Sequence, residues 1–97
     1  METYISLLKL TEQGIKDIKN APKRIEEAVK GLEAAGGRLV NFYAVLGEYD
    51  YVGIAEAPNE GAALAFMLAL GSGGNVRATT LKAFTKEQFA QIIGNLR

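Results

Sequence analysis

Two β-patterned runs, RLVNFYAVL at 38–46 and YDYVGIAEA at 49–57, flank Gly47 and Glu48, and this spacing constrains the fold more than any other feature of the chain. Glycine in the first of two connecting positions suits a type II′ turn, whose twist matches that of a β-hairpin. A two-residue connection sets Val45 opposite Asp50, Tyr43 opposite Val52, Asn41 opposite Ile54 and Leu39 opposite Glu56, all on one face. The other face then carries Val40, Phe42, Ala44 and Leu46 against Tyr49, Tyr51, Gly53 and Ala55, whose small members leave room for helices to lie close. A four-residue connection keeps this parity, and a three-residue one reverses it.

The rest of the chain alternates around that hairpin. TYISLLKL at 3–10 has β propensity and no breaker, so it reads as a first strand. Thr11 caps a short helical turn that Gly14 weakens. Asn20 and Pro22 open a long helix in which Ile25, Ala28, Val29 and Leu32 share a face, and Gly36 and Gly37 end it. Pro58 stops the third strand, and Asn59 caps a second long helix with Ala63, Phe66, Met67 and Leu70 as its core stripe. Leu64, Ala65, Leu68 and Ala69 make that helix apolar nearly all round, so it is expected to be covered on more than one side, by a C-terminal helix, another subunit or both. NVRATTLKAF at 75–84 is the fourth strand. Thr85 and Gln88 then form a capping box before a last helix with Phe89, Ile92, Ile93 and Leu96 on one side.

The order β, α, β, β, α, β with a terminal helix predicts one α+β domain over 1–97: a four-stranded antiparallel sheet of the ferredoxin-like arrangement with helices on one face. The face bearing Asn41, Tyr43, Asp50 and Glu56 is left to water or to a partner. Val45, Val52 and Ile54 lie on it too, and wet apolar surface costs roughly 25 cal/mol per Å². A second copy of the chain is therefore the expected cover, in a homodimer or a higher oligomer. A chain of 97 residues is short of core by itself, which strengthens the expectation.

Composition excludes several classes. With no cysteine and no histidine, there is no thiol nucleophile, disulfide, imidazole base or histidine-bearing metal triad, and no cofactor is expected. Eleven basic residues balance eleven acidic ones, so no net field draws the protein to nucleic acid or to anionic lipid. The cluster Lys16, Lys19, Lys23, Arg24 and Lys30 is interleaved with Asp17, Glu26 and Glu27 and reads as a solvated helix face. The longest uncharged apolar stretch, Ala62–Leu70, has nine residues, too few for a membrane span. METYISLLKL lacks the basic region of a secretion signal, which points to the cytoplasm. GSGGN at 71–75 follows a helix and precedes a strand, so it is a helix end and a turn rather than a phosphate loop.

Several separated motifs also carry a family likeness: YISLL at 4–8 with TEQGI at 11–15, LGEYD at 46–50, EAP at 56–58 and GNVRATTLKAF at 74–84. Together, and almost end to end, they resemble the GYD domain family. The resemblance implies a ferredoxin-like subunit of the dimeric α/β-barrel kind, with two sheets packed face to face, and it implies no particular activity. Cofactor-free monooxygenases, muconolactone-isomerase-like enzymes, haem-using chlorite dismutases and ligand-sensing domains share that fold, so function has to come from the site. The missing histidine counts against haem ligation.

Asp50 is the principal candidate for chemistry. Between two sheets its carboxylate would be partly desolvated and able to accept a proton near neutral pH; beside the turn it would instead cap backbone amides. Asn41 and Tyr43 are candidate hydrogen-bond donors to a ligand, and Arg77 with Thr79 on strand four is a candidate anchor for an acidic group. Glu56 binds a ligand or pairs with a basic side chain. Tyr49 falls on the helix side in this register and in the cleft in the reversed one. Strand one places either Tyr4 and Ser6 or Ile5 and Leu7 inward, since both pairs fit. The expectation is a homo-oligomer that binds a small organic ligand, as a cofactor-free enzyme of proton transfer or oxygenation, or else an interaction module whose polar strand residues complete an interface.

Overall fold

The computed structural model describes residues 1–96. Strands β1 (Glu2–Leu10), β2 (Arg38–Ala44), β3 (Tyr51–Ala57) and β4 (Val76–Ala83) form one antiparallel sheet in the order β2-β3-β1-β4. Helix α1 (Glu12–Lys16) and a 3-10 turn lead into α2 (Ala21–Ala34), and α3 (Glu60–Ser72) connects β3 to β4. Helix α4 (Lys86–Gly94) follows β4. This is the ferredoxin-like order expected from the sequence.

The helix ends are built as their residues dictate. Gly36, at φ +89°, continues α2 into a Schellman turn, with Gly36 N–H donating to the Glu33 carbonyl at 3.0 Å and Gly37 N–H to that of Leu32 at 2.9 Å. Asn59 accepts from Ala62 N–H at the start of α3, and Thr85 and Gln88 form the reciprocal capping box of α4.

Helices α2 and α3 lie on one face of the sheet. Tyr4, Ser6 and Leu8 of β1 share that face with Tyr51, Gly53, Ala55 and Ala57, which settles the phase of strand one. The core is small: Tyr4, Leu8, Ala21, Leu32, Ala57 and Ala63 are the buried apolar residues. Ile5 and Leu7 point to the opposite, helix-free face.

Two expectations about the hairpin are corrected. The strands end at Ala44 and Tyr51, so the connection is longer than two residues; Val45 N–H donates to the Asp50 carbonyl at 2.9 Å and residues 46–49 form the loop. Parity survives, with Tyr43 against Val52 and Asn41 against Ile54. At the other end of β2 a bulge between Leu39 and Asn41 inserts one residue. Leu39 consequently pairs with Ala55 rather than Glu56 and turns to the helix side, while Arg38 takes the position opposite Glu56.

Helix α4 does not supply the cover that α3 was expected to find. Phe89, Ile92, Ile93 and Leu96 are 46–69% exposed, and Leu64 and Leu68 of α3 are open as well. The molecule is accordingly elongated, 53 × 31 × 18 Å.

Gly14 has a role that local sequence does not reveal. Thr11 N–H donates to the Asn75 carbonyl at 3.0 Å and Thr11 Oγ1 to that of Gly74 at 2.6 Å, which draws α1 onto the turn before β4. A Cβ on Gly14 would collide with the Asn75 carbonyl oxygen. Gly14→Ala is therefore expected to destabilise the fold by about 1–3 kcal/mol despite its better helix propensity, as read from urea denaturation.

Candidate functional site

The helix-free face of the sheet gathers most of the residues singled out from the sequence. Its rows follow from the register. Asn41, Ile54, Ile5 and Leu81 form one row across the four strands, and Tyr43, Val52, Leu7 and Thr79 form the next. Ile5, Leu7, Val52 and Ile54 thus occupy the two middle strands, while Asn41 and Tyr43 stand on one edge and Leu81 and Thr79 on the other. Three strand spacings, roughly 14 Å, separate those edges. Arg77, opposite Lys9, and Glu56 mark different ends of the face. The structure brings Asn41, Tyr43, Glu56, Arg77 and Thr79 onto one surface but does not converge them on a point.

Asp50 is half-buried at the start of β3. Its Oδ2 accepts from Leu10 N–H at 2.8 Å, and its own N–H donates to the Leu8 carbonyl at 2.9 Å. The residue thereby closes the end of the β1–β3 ladder. Glu56 Oε1 accepts from Arg38 Nε at 2.7 Å, an ion pair that the bulge in β2 makes possible. Tyr49 does not lie on the helix side as its register implied: it sits in the connection before β3, where the Lys9 ammonium is 5.4 Å from its ring centroid.

A second cluster has no signal in the local sequence. Lys82 Nζ lies 2.9 Å from Glu2 Oε1 and 3.3 Å from Glu60 Oε1, and Tyr4 donates to Glu2 at 3.0 Å. Only the β1–β4 register, which pairs Tyr4 with Lys82, unites residues from opposite ends of the chain in this way. The Lys82 and Tyr4 bonds hold the Glu2 carboxyl below its ordinary pKa. Glu2 and Glu60 raise Lys82, while burial followed by the Glu2 bond raises Tyr4. This is a charge network that staples α3 to the sheet edge.

A cavity of about 350 Å³ lies between the helices and the sheet. Ile25, Ala28 and Val29 of α2 and Phe66 and Leu70 of α3 form its roof; Ser6, Gly53 and Ala55 form its floor, beside Phe42 and Tyr51. The two aromatic rings pack 5.2 Å apart at 43°. Small residues on this side were expected to let helices lie close, yet above Gly53 they leave space instead: a Cβ there meets no atom within 4 Å.

The family model of the GYD domain matches residues 4–93. The chain belongs to the GYD domain family. A relative from Thermus thermophilus, named glutamine synthetase and cystathionine beta-lyase binding protein, is 42% identical over 84 residues, covering 86% of this chain and 88% of its own. The crystal structure of FFRP-DM1 matches with a TM-score of 0.63 at 17% identity, covering 87% of this chain and 100% of that one. The latter likeness shows that this GYD domain has the same fold and no more.

Two measurements test the geometry. Asp50→Ala strands the Leu10 amide and is expected to cost about 1–3 kcal/mol in urea denaturation, with Asp50→Asn, which keeps an acceptor, costing less. Because Glu2 titrates below its ordinary value in the folded state, its contribution is present above the ordinary carboxylate range and is lost as pH falls through the lowered pKa. Lys82→Met is expected to flatten that part of the acid dependence of Tm, as followed by thermal melts through mild acid.

Proposed function

We propose that this GYD domain is a self-associating interaction module, not a catalyst, that uses the helix-free face of its sheet to pair with a second copy and so build a unit that holds other proteins. Glutamine synthetase and cystathionine beta-lyase, named for the Thermus relative, are the first partners to try. The observation that carries this reading is the continuous patch of Ile5, Leu7, Val52, Ile54 and Leu81 on an otherwise uncovered face. An apolar centre ringed by Asn41, Tyr43, Thr79, Arg77 and the Arg38–Glu56 pair has the composition of a subunit interface with its polar rim.

The competing reading is a cofactor-free enzyme that acts on a small organic compound by proton transfer or oxygenation, with Asp50 as base, Asn41 and Tyr43 as donors and Arg77 as anchor. It has weaker support. One oxygen of Asp50 is already committed to the Leu10 amide, and the Arg77 anchor stands on β4, across the sheet from the donors Asn41 and Tyr43 on β2, too far to meet one small substrate with them within a single subunit.

Ile54→Lys places a charge in the middle of the patch and is expected to convert the assembly to monomers in sedimentation velocity while the fold persists by circular dichroism. The same variant is expected to lose capture of glutamine synthetase if the paired unit is what binds. A wild-type chain that sediments as a folded monomer at high concentration would refute the proposal.

A further inference from the structure

We infer that the cavity under the helices is a binding site for a small, neutral, largely apolar molecule of two or three rings. The site lies on the opposite side of the sheet from the association surface, so the inference does not depend on that reading.

Gly53 is the informative residue. It sits in mid-strand, where glycine is unfavourable, and its backbone has no positive φ to require it. No close approach requires it either. Gly53 is buried, and a side chain there would enter open interior space without touching a neighbour. What the missing side chain preserves is room. Along the same row Phe42, Gly53, Ser6 and Thr80 face the helices, so the two central strands contribute the two smallest residues and the floor is hollowed at its middle.

Size and charge define the occupant. About 350 Å³ is at the lower end of small-molecule sites. The charged lining residues are Arg24 and Glu27; the Arg24 guanidinium already pairs with Asp17 at 2.8 Å, and Glu27 is exposed to solvent. An anionic ligand would therefore enter without a free counter-charge, at a large desolvation cost, and a cation would gain little from the solvent-screened Glu27. The floor carries a polar handle. The Ser6 hydroxyl lies 3.6 Å from Met67 Sδ, a weak acceptor, and 3.2 Å from Thr80 Oγ1, so it can turn to a ligand acceptor at little loss.

Fluorescence titration of the full chain with N-phenyl-1-naphthylamine, a neutral apolar probe, is expected to saturate at one probe per chain. Its anionic counterpart, 8-anilinonaphthalene-1-sulfonate, is expected to bind at least about ten-fold more weakly, because its charge finds no partner. Gly53→Val fills the floor and is expected to weaken the neutral probe by about ten-fold or more while leaving Tm unchanged or higher, since valine suits a strand better than glycine. Ala55→Leu provides the same test from the neighbouring inward position, and Ile54→Lys, on the other face, is expected to leave probe binding intact. The inference is overturned by an absence of saturable binding, by equal affinity for the sulfonate, by undiminished binding to both filled variants, or by a large loss of stability in Gly53→Val, which would mean that the space is closed in solution.

Discussion

Helices on one side and none on the other: this asymmetry governs the molecule. A four-stranded sheet has two faces, and the alternation of its side chains makes both apolar here, with Leu8, Tyr51 and Ala55 on one and Leu7, Val52 and Ile54 on the other. Apolar surface in water is the dominant cost a fold can relieve, and α2 and α3 relieve it on one side alone. The proposed self-association is thus a consequence of how few residues the chain can devote to helix, rather than an addition to a finished fold.

The two faces support different readings because their middles differ. On the helix-free face the central rows hold large aliphatic groups, which suits contact with another flat surface. On the helix face the central row holds Ser6 and Gly53, which keeps the roof from meeting the floor. The ends of the sheet are locked by polar contacts: Asp50 to the Leu10 amide at one, Glu2 to Lys82 and Arg38 to Glu56 at the other. Polar side chains that looked available for chemistry are in large part holding strands in register.

Local rules are legible in the sequence and long-range ones are not. The order of elements, the Thr85–Gln88 capping box, the glycine end of α2 and the parity of β2 against β3 all follow from neighbouring residues. Strand one is ambiguous by pattern because Tyr4, Ile5, Ser6 and Leu7 fit either phase, and packing has to choose. The bulge near Val40 has no glycine or proline to announce it, so alternation alone puts Leu39 on the wrong face. Tyr49 is misplaced by the same alternation because the strand starts two residues later than its β propensity suggests. The Glu2–Lys82–Glu60 network, the contact at Gly14 and the hollow above Gly53 depend on residues far apart in the chain, which periodicity cannot see. Of the candidate site residues, the pattern indicates the shared face of Asn41, Tyr43 and Glu56, but neither the phase of strand four, which brings Arg77 and Thr79 to that face, nor the distances that keep them all apart.

Strands β2 and β4 lie at the two margins of the sheet, and each carries cations, Arg38 on one and Arg77 with Lys82 on the other. A margin with free amides and carbonyls invites another sheet to extend it, and the growth has no natural stop. Lateral joining would have to desolvate these charged groups, Arg38 in its pair with Glu56 and Lys82 in its pairs with Glu2 and Glu60, and they oppose it. The proposed self-association is thereby steered toward stacking broadside, which closes after one step, and away from the endless ribbon that the same strands would otherwise be able to seed.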